Sequence, residues 1–397
     1  MTKTKTLALT AGICGALAGS AVAQTSTNTM IGNEVLSNAA NQSSLLGNSQ
    51  STLTAFGMIQ FRFMVAALES GDDDVVTGFQ TRRTRAGFKG DIDDQFSYYV
   101  QFEFSRSSGS AGLLDAFLDI DMGEGANLRV GQFKTGASRE NSISSSKGLF
   151  ADTSIVRGTF SPGRSQGLAY MFENPDSNMR GAIAVTDGFG TSNTDITSGS
   201  EGDIAITGNV DYSWTGSDFK IFDDFTSGQG AANGQDYHGL VGGAVHFQSG
   251  GSTVGTTDAT MFWASGYVQV EGDGWNGFAE IDLMQMDPDG GDSTLDIGFL
   301  AQGGYMFDEN NEGILRIEGL IPDGDRSGDD MFLALTFGMN HYFNPADPHS
   351  AKFTVDVMIP FEDAANCDIV TTSTTTGLFA SSESGDFAAR AQVQGKF

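Results

Sequence analysis

Positively charged side chains are concentrated in one part of this acidic chain. Thirteen of the 21 lysines and arginines lie between Arg62 and Arg180, whereas residues 181–315 contain only Lys220. Residues 134–166 are the densest basic stretch, with five basic and two acidic side chains. Because guanidinium groups bind oxyanions through paired hydrogen bonds, this stretch predicts an anion-binding region. Its basic residues are Lys134, Arg139, Lys147, Arg157 and Arg164, and its acidic residues are Glu140 and Asp152.

Motifs for metal binding and catalysis are weak. Asp323, Asp325 and Ser327 match the first half of a calcium loop, but Ala334 stands where the loop needs a glutamate. The four histidines lack metal-ligand spacing, and no G-x-S-x-G or P-loop is present. We therefore expect no catalytic residue, no metal site and no cofactor, apart from weak calcium or magnesium binding at acidic outer loops. A hydrolase remains a separate hypothesis, because Ser/His/Asp triads assemble in space rather than in sequence.

Apolar and polar residues alternate over segments of about ten residues. At the C-terminus, Phe387, Val393 and Phe397 alternate with polar residues such as Arg390 and Lys396. A period of two predicts a strand with one apolar and one polar face. After residue 23, no stretch of about 18 apolar residues follows, so we expect no transmembrane helix.

About sixteen such segments are present, and an even number of ten-residue strands is typical of outer-membrane barrels. Closure of the sheet satisfies every backbone hydrogen bond within lipid. We predict an all-β, transmembrane antiparallel β-barrel with short periplasmic turns and longer outer loops. Residues 215–236 break this alternation of short and long connections, and we expect Phe219–Phe225 to prolong a neighbouring strand. The predicted strands span residues 51–65, 78–90, 95–105, 113–122, 127–133, 167–172, 179–186, 203–214, 237–248, 260–271, 274–286, 295–307, 313–322, 331–342, 351–361 and 386–397.

The alternation also places charges on the wall of the predicted barrel. Arg83, Arg85 and Lys89 share one face of the second strand, and Arg62 and Arg129 lie opposite apolar neighbours. A charge that faces lipid near the midplane costs about 2–4 kcal/mol, so these side chains should face the lumen. We expect a basic wall opposed by an acidic wall, with a transverse field between them. The acidic wall comprises Glu103, Asp115, Asp119 and Asp121.

The N-terminus and the composition indicate export. Lys3 and Lys5, an apolar run and Ala21-Val22-Ala23 predict a signal peptide at 1–23. Residues 24–50 form a predicted periplasmic extension, and residues 51–397 form the barrel domain. The net charge of −29 argues against nucleic-acid binding, and 2 cysteines exclude a disulfide scaffold. A secreted structural β protein, such as a sandwich, is the alternative fold.

Residues 82–172 resemble the phosphate-selective porins O and P. The resemblance is carried by short motifs whose order and spacing match. They are RRTRAGFKG at 82–90, LDAFL at 114–118, VGQFK at 130–134, SSSK at 144–147 and FSPGR at 160–164.

This resemblance implies a sixteen-stranded barrel in the outer membrane of a Gram-negative bacterium, usually a homotrimer. It also implies that residues 134–166 fold into the lumen and that anions, phosphate above all, diffuse through the pore. The terminal Phe397 is similar to the signal read by the barrel-assembly machinery. Outer-membrane lipid and lipopolysaccharide are the expected surroundings.

The sequence therefore predicts an outer-membrane porin for small hydrophilic solutes and ions, with anions or phosphate preferred at the constriction. The acidic charge leaves a general or cation-preferring porin as the alternative. A β-barrel hydrolase and a secreted structural β protein are the alternatives from other classes. The pore-lining residues are predicted to be Arg62, Arg83, Arg85, Lys89, Arg129, Lys134, Arg139, Lys147, Arg157 and Arg164.

Overall fold

The computed structural model describes residues 51–68, 75–199, 201–227, 237–251 and 258–397. The predicted signal peptide and the 24–50 extension lie outside these residues. The same holds for the second part of the 215–236 connection, from residue 228 onwards.

Sixteen antiparallel strands form a closed barrel in the described part of the chain. Each strand pairs with the next one along the chain, and β1 pairs with β16 to close the sheet. The predicted fold class is confirmed, and each strand end lies within three residues of its predicted position. The strands are β1 Thr54–Ala67, β2 Val75–Asp91, β3 Phe96–Phe104, β4 Ala111–Gly123, β5 Ala126–Lys134, β6 Arg164–Asn174, β7 Met179–Thr186, β8 Ile204–Ser213, β9 Tyr237–Ser249, β10 Ala259–Gly272, β11 Trp275–Pro288, β12 Thr294–Met306, β13 Asn311–Ile321, β14 Phe332–Tyr342, β15 Ala351–Pro360 and β16 Phe387–Lys396.

Helices are short and lie in the connections. Among the described residues, the two α-helices are α1, Arg139–Ser142, and α2, Ile155–Phe160. Pro175–Ser177, Phe219–Asp223 and Ala364–Asn366 are 3₁₀ helices. No helix within the described ranges is long and apolar enough to cross a bilayer.

The outward face of the barrel is apolar, as the period-two pattern requires. Ile59, Ile183 and Leu315 are examples of large outward side chains that are exposed. After β16, the Phe397 ring packs directly against Gly57 of β1. A methyl group at Gly57 would overlap this ring. The backbone N–H of Gly57 donates to the Phe397 carbonyl at 2.8 Å. The last residue is therefore built into the β1–β16 seam.

A hydrophobic core fills part of the lumen. Inward side chains of β9 to β13 include Leu240, Trp263 and Leu300, which are 0–3% exposed. They belong to one buried cluster with Phe160 and Phe222 from the connections. The alternation in the sequence predicts that each strand has one apolar face towards lipid and one face towards water. On this side of the barrel the second face is also buried, because loops pack against it.

The prediction that Phe219–Phe225 prolongs a strand is wrong. Phe219–Asp223 is a 3₁₀ helix whose Phe219 and Phe222 side chains are buried. The Asp218 side chain accepts a hydrogen bond from the Lys220 N–H at 2.9 Å and caps the helix start. The apolar residues recur every third position, which suits a 3₁₀ turn with one buried face.

Candidate pore constriction

Two connections enter the lumen from opposite ends. Residues 135–163, here called the constriction loop, join β5 to β6 at the outer end, and their helix α2 packs on β11, β12 and β13. Residues 214–227, here called the periplasmic insert, follow β8 at the other end. The two segments meet, because the Arg139 guanidinium donates to the Phe222 carbonyl and the Phe225 N–H donates to the Lys147 carbonyl at 3.2 Å. Together they narrow the lumen.

Helix α2 packs against Gly298 of β12, on the wall opposite β5 and β6. A methyl group at Gly298 on β12 would overlap the Phe160 ring and the Val156 side chain. The Ser154 side chain caps the helix by accepting from the Arg157 N–H at 2.9 Å. The loop therefore crosses the lumen from β5 and β6 and packs against β11, β12 and β13 on the other side.

Carboxylates from the far wall hold the backbone of the constriction loop. Glu280 accepts the N–H groups of Arg139 at 2.8 Å and Glu140 at 3.0 Å. Glu318 accepts the Ile155 N–H at 2.6 Å, and Asp356 accepts the Ala151 N–H at 2.8 Å. Charged acceptors make the strongest backbone hydrogen bonds, so these contacts fix the path of the loop. The far-wall acceptors are Glu280, Glu318 and Asp356.

Asp152, at the centre of the loop, binds three arginines of the near wall. Its carboxylate lies 2.8 Å from Arg82, 3.0 Å from Arg62 and 3.2 Å from Arg83. Burial alone would raise the pKa of Asp152, but the guanidinium groups of Arg82, Arg62 and Arg83 hold it well below its usual range. Arg62 and Arg83 are almost completely buried. Both were predicted to line the pore, and in the structure they instead anchor the loop.

Arg82 is a residue of the constriction that strict alternation missed. The pairing of β1 with β2 shifts by one residue at Gln60, so that Gln60 faces Arg83 and Phe61 faces Thr81. This β-bulge leaves Arg82 without an opposite residue and turns it, like its neighbour, towards the lumen. Arg82 binds both oxygens of Asp152, at 2.8 and 3.0 Å. The run of arginines was visible in the sequence, but the bulge was not.

Lys134, Arg139 and Arg157 are held by oxygen atoms of the loop itself, of β10 and of the periplasmic insert. The Lys134 ammonium donates to the Asn141 carbonyl at 2.6 Å, and Arg157 donates to the Asn141 side chain at 3.1 Å. Arg139 is buried and donates to Gln269 at 3.3 Å as well as to Phe222. Burial lowers the pKa of Arg139 and of Arg157.

The two opposed walls expected from the sequence do not form, and this prediction is corrected. Arg85 pairs with Glu103 at 3.0 Å, and Arg129 pairs with Asp119 at 2.7 Å. In both cases the partners face each other directly on neighbouring strands, so the charges neutralise within the same wall. Arg164 likewise binds Asp115, at 2.7 Å. Asp121, the remaining acidic residue, accepts the Gly123 N–H at the end of β4.

Three lysines face the periplasmic half of the lumen. Within the described residues, no hydrogen bond or ion pair involves the ammonium groups of Lys89, Lys147 or Lys396. Lys89 and Lys147 were predicted as pore-lining, and Lys396 was not. Lys396 lines the same cavity as Lys147, and closure of β16 on β1 places it two strands from Lys89 on β2. Closure of the barrel, which brings β16 beside β1, was needed to find it.

Two cavities lie at the periplasmic side of the constriction. One of about 620 Å³ lies between β5 and β8 and is lined by Arg129, Lys134 and Arg180 among others. The other, of about 1040 Å³, is lined by acidic residues of the periplasmic turns. Lys147 lines both cavities. The acidic lining residues are Asp224, Asp273, Asp308, Glu309 and Asp347.

The periplasmic insert has its own polar anchor. Glu312 accepts the Ser227 N–H at 3.0 Å, the Asn340 amide at 2.9 Å and the Tyr342 hydroxyl. His349 contacts Asp224 at 3.1 Å and Thr226 at 3.3 Å, both through Nε2. A catalytic histidine relays between its acid and its nucleophile through different ring nitrogens, so this contact is not a triad. Among the described residues, no group of three His, Cys, Asp or Glu side chains is placed to hold a metal.

Comparison with known families finds one whose sequence model matches the first part of the barrel. The sequence model of the family described as phosphate-selective porin O and P matches residues 55–230. The match covers the constriction loop and the arginines that bind it, and it confirms the resemblance that the motifs indicated. No curated protein matches the sequence significantly.

Solved structures share the fold. An anion-selective porin from Comamonas acidovorans has a TM-score of 0.61 at 13% identity, covering 88% of this chain and 100% of that one. The outer membrane channel DcaP of Acinetobacter baumannii has a TM-score of 0.60 at 14% identity, covering 88% and 99%. OmpT of Vibrio cholerae gives 0.60 at 12% identity with the same coverage. At such identities the likeness concerns the fold alone.

Proposed function

We propose that this outer-membrane porin, which resembles the phosphate-selective porins O and P, prefers anions and owes that preference to lysines. The observation that carries the proposal is the position of Lys147. Its ammonium has no partner among the described residues, and the residue lies on the constriction loop, where it lines both periplasmic cavities. Lys89 on β2 and Lys396 on β16 add two further cations at the same end of the lumen.

Paired arginines contribute little to selectivity by comparison. Arg85, Arg129 and Arg164 each have a carboxylate within 3.0 Å, so each pair has no net charge. Arg62, Arg82 and Arg83 share one carboxylate but are turned towards the loop that covers them. Ion selectivity by sign depends on uncompensated charge along a narrow path. The lysines supply that charge.

A general or cation-preferring porin is the second candidate. It is favoured by the acidic lining of the 1040 Å³ cavity and by the net charge of −29. In that case cations would concentrate at the periplasmic mouth before they reach Lys147. The two candidates differ in the sign of the selectivity, which one measurement determines.

The surroundings of the barrel are proposed on the same basis. We expect export through a signal peptide, recognition of Phe397 by the barrel-assembly machinery, contact with lipopolysaccharide and passive diffusion without catalysis. A homotrimer is proposed because an OmpT of Vibrio cholerae, with a TM-score of 0.58, is described in a trimer form. That neighbour covers 88% of this chain at 13% identity.

The test is the reversal potential of purified protein in a planar bilayer under a KCl gradient. Lys147→Gln and Lys396→Gln should each move the reversal potential towards cation selectivity, and the double variant should move it further. Lys220→Gln is the matched control, because Lys220 is exposed on the periplasmic insert and carries the same charge. Added phosphate should reduce the chloride current of the unaltered protein.

A cation-selective pore that is indifferent to phosphate would establish the second candidate. Unchanged selectivity in the double variant would show that the lysines are not responsible.

A further inference from the structure

A row of aromatic rings lies on the inner wall of the barrel, on the side opposite the hydrophobic core of β9 to β13. Phe56 stacks on Tyr99 with ring centroids 5.1 Å apart, and Tyr99 stacks on Phe117 at 5.2 Å. The Arg129 guanidinium lies 3.8 Å from the centroid of the Phe117 ring and extends the row to β5. The row thus runs over five neighbouring strands from β1 to β5.

A glycine makes the row continuous. Phe56 lies on β1 and Tyr99 on β3, so the intervening strand β2 separates them. The residue of β2 opposite Phe56 is Gly87, and a methyl group there would overlap the Phe56 ring. Because Gly87 has no side chain, the ring lies across β2 and reaches Tyr99.

The rings of the row remain open to the lumen. Phe56, Tyr99 and Phe117 are each half-buried, whereas Phe160 and Phe222 in the filled part of the lumen are 0% exposed. The apolar surface of the row is therefore available to a solute that passes along this wall.

Ion pairs flank the row on both sides. Arg129 binds both oxygens of Asp119, at 2.7 and 2.8 Å, and Arg164 binds both oxygens of Asp115, at 2.9 and 2.7 Å. The Arg85–Glu103 pair completes the set. Each pair offers donors and acceptors side by side without net charge. Apolar ring surface between neutral donor–acceptor pairs suits a solute with both apolar faces and many hydroxyl groups.

We infer that this row is a binding track for carbohydrates, on which neutral sugar rings stack against Phe56, Tyr99 and Phe117 while their hydroxyls bond the flanking ion pairs. Sugar rings carry C–H faces that pack on aromatic rings, and each hydroxyl both donates and accepts. The inference concerns uncharged solutes, so it does not depend on the anion preference proposed above.

The experiment measures block of the ion current by maltotriose in planar bilayers. The unaltered protein should show a concentration-dependent block that exceeds the effect of polyethylene glycol of similar mass. Phe117→Ala and Tyr99→Ala should each weaken the apparent affinity by roughly tenfold, the loss expected for one stacking contact. Tyr99→Phe keeps the ring and should retain the block.

Phe79→Ala is the matched control, because Phe79 is an exposed ring on the lipid side of β2. Retention of heat-modifiable migration on a gel establishes that each variant is folded. The inference is overturned if maltotriose acts no more strongly than polyethylene glycol, or if folded Phe117→Ala is blocked as well as the unaltered protein. Reversal potentials from the same membranes report on the anion preference separately.

Discussion

The contact between Asp152 and three arginines gives the sharpest test of how the constriction is held. In Asp152→Asn the side chain keeps its size and loses its charge. The carboxylate makes hydrogen bonds of 3.0 Å to Arg62, 2.8 and 3.0 Å to Arg82 and 3.2 Å to Arg83. The amide that replaces it has one acceptor and would direct an N–H group towards a guanidinium. Three buried or half-buried cations then have no counter-ion on the loop.

The expected magnitude follows from burial. Removal of one partner from a buried ion pair costs about 3–5 kcal/mol. About 1.4 kcal/mol corresponds to a tenfold change in an equilibrium constant. The population with a displaced constriction loop should therefore rise by roughly two to four orders of magnitude. The strands keep all of their pairing, so the barrel itself should stay closed.

The measurements are single-channel conductance and limited proteolysis of the loop in reconstituted protein. Asp152→Asn should raise the conductance and its noise and should expose the loop to cleavage. Asp119→Asn is the matched control, because Asp119 pairs with one arginine and both side chains are 21–24% exposed. A pair of that exposure contributes about 0–1 kcal/mol. Equal behaviour of the two variants would refute the anchoring role of Asp152.

Two further predictions concern the same lumen. Phe222→Ala should loosen the periplasmic insert and raise the conductance, because Phe222 is fully buried and its truncation costs about 3–5 kcal/mol; Phe337→Ala on the lipid face serves as control in the same conductance assay. The effect of Asp152→Asn should stay undiminished from pH 7 down to about pH 4. A depressed carboxyl pKa contributes stability above its unfolded value and loses it only as the pH falls through the folded value, which here lies well below the usual range. A difference between variant and parent that disappears above pH 4 would contradict this assignment.

The strands could be predicted from the sequence because the alternation within each strand shows which side chains face outward and which face the lumen. In β15, Phe353, Val355 and Val357 face outward and Thr354 and Asp356 face inward, and this requires no knowledge of the neighbours. A period of two together with turn residues is a local signal, so sixteen segments could be recognised one by one.

The site was less predictable because its contacts depend on the pairing of strands. Arg85 and Glu103 neutralise each other only because β2 and β3 pair in that register. Arg82 enters the lumen only because β2 bulges beside Gln60. The burial of Phe222 depends on a loop that folds against strands far along the chain. None of these contacts has a signature within a single segment.

The loop's excess of basic residues is therefore a poor measure of the charge that a solute meets. Residues 134–166 contain five basic and two acidic side chains, yet Arg139 is buried against Gln269 and Arg164 is bound to Asp115 of β4. The arginine fork forms several directed bonds at once, which makes it suitable for holding a loop in a polar interior. An ammonium on a flexible stem is less restrained by its surroundings. A division of labour follows, in which arginines fix the constriction and lysines such as Lys147 carry the charge that ions experience.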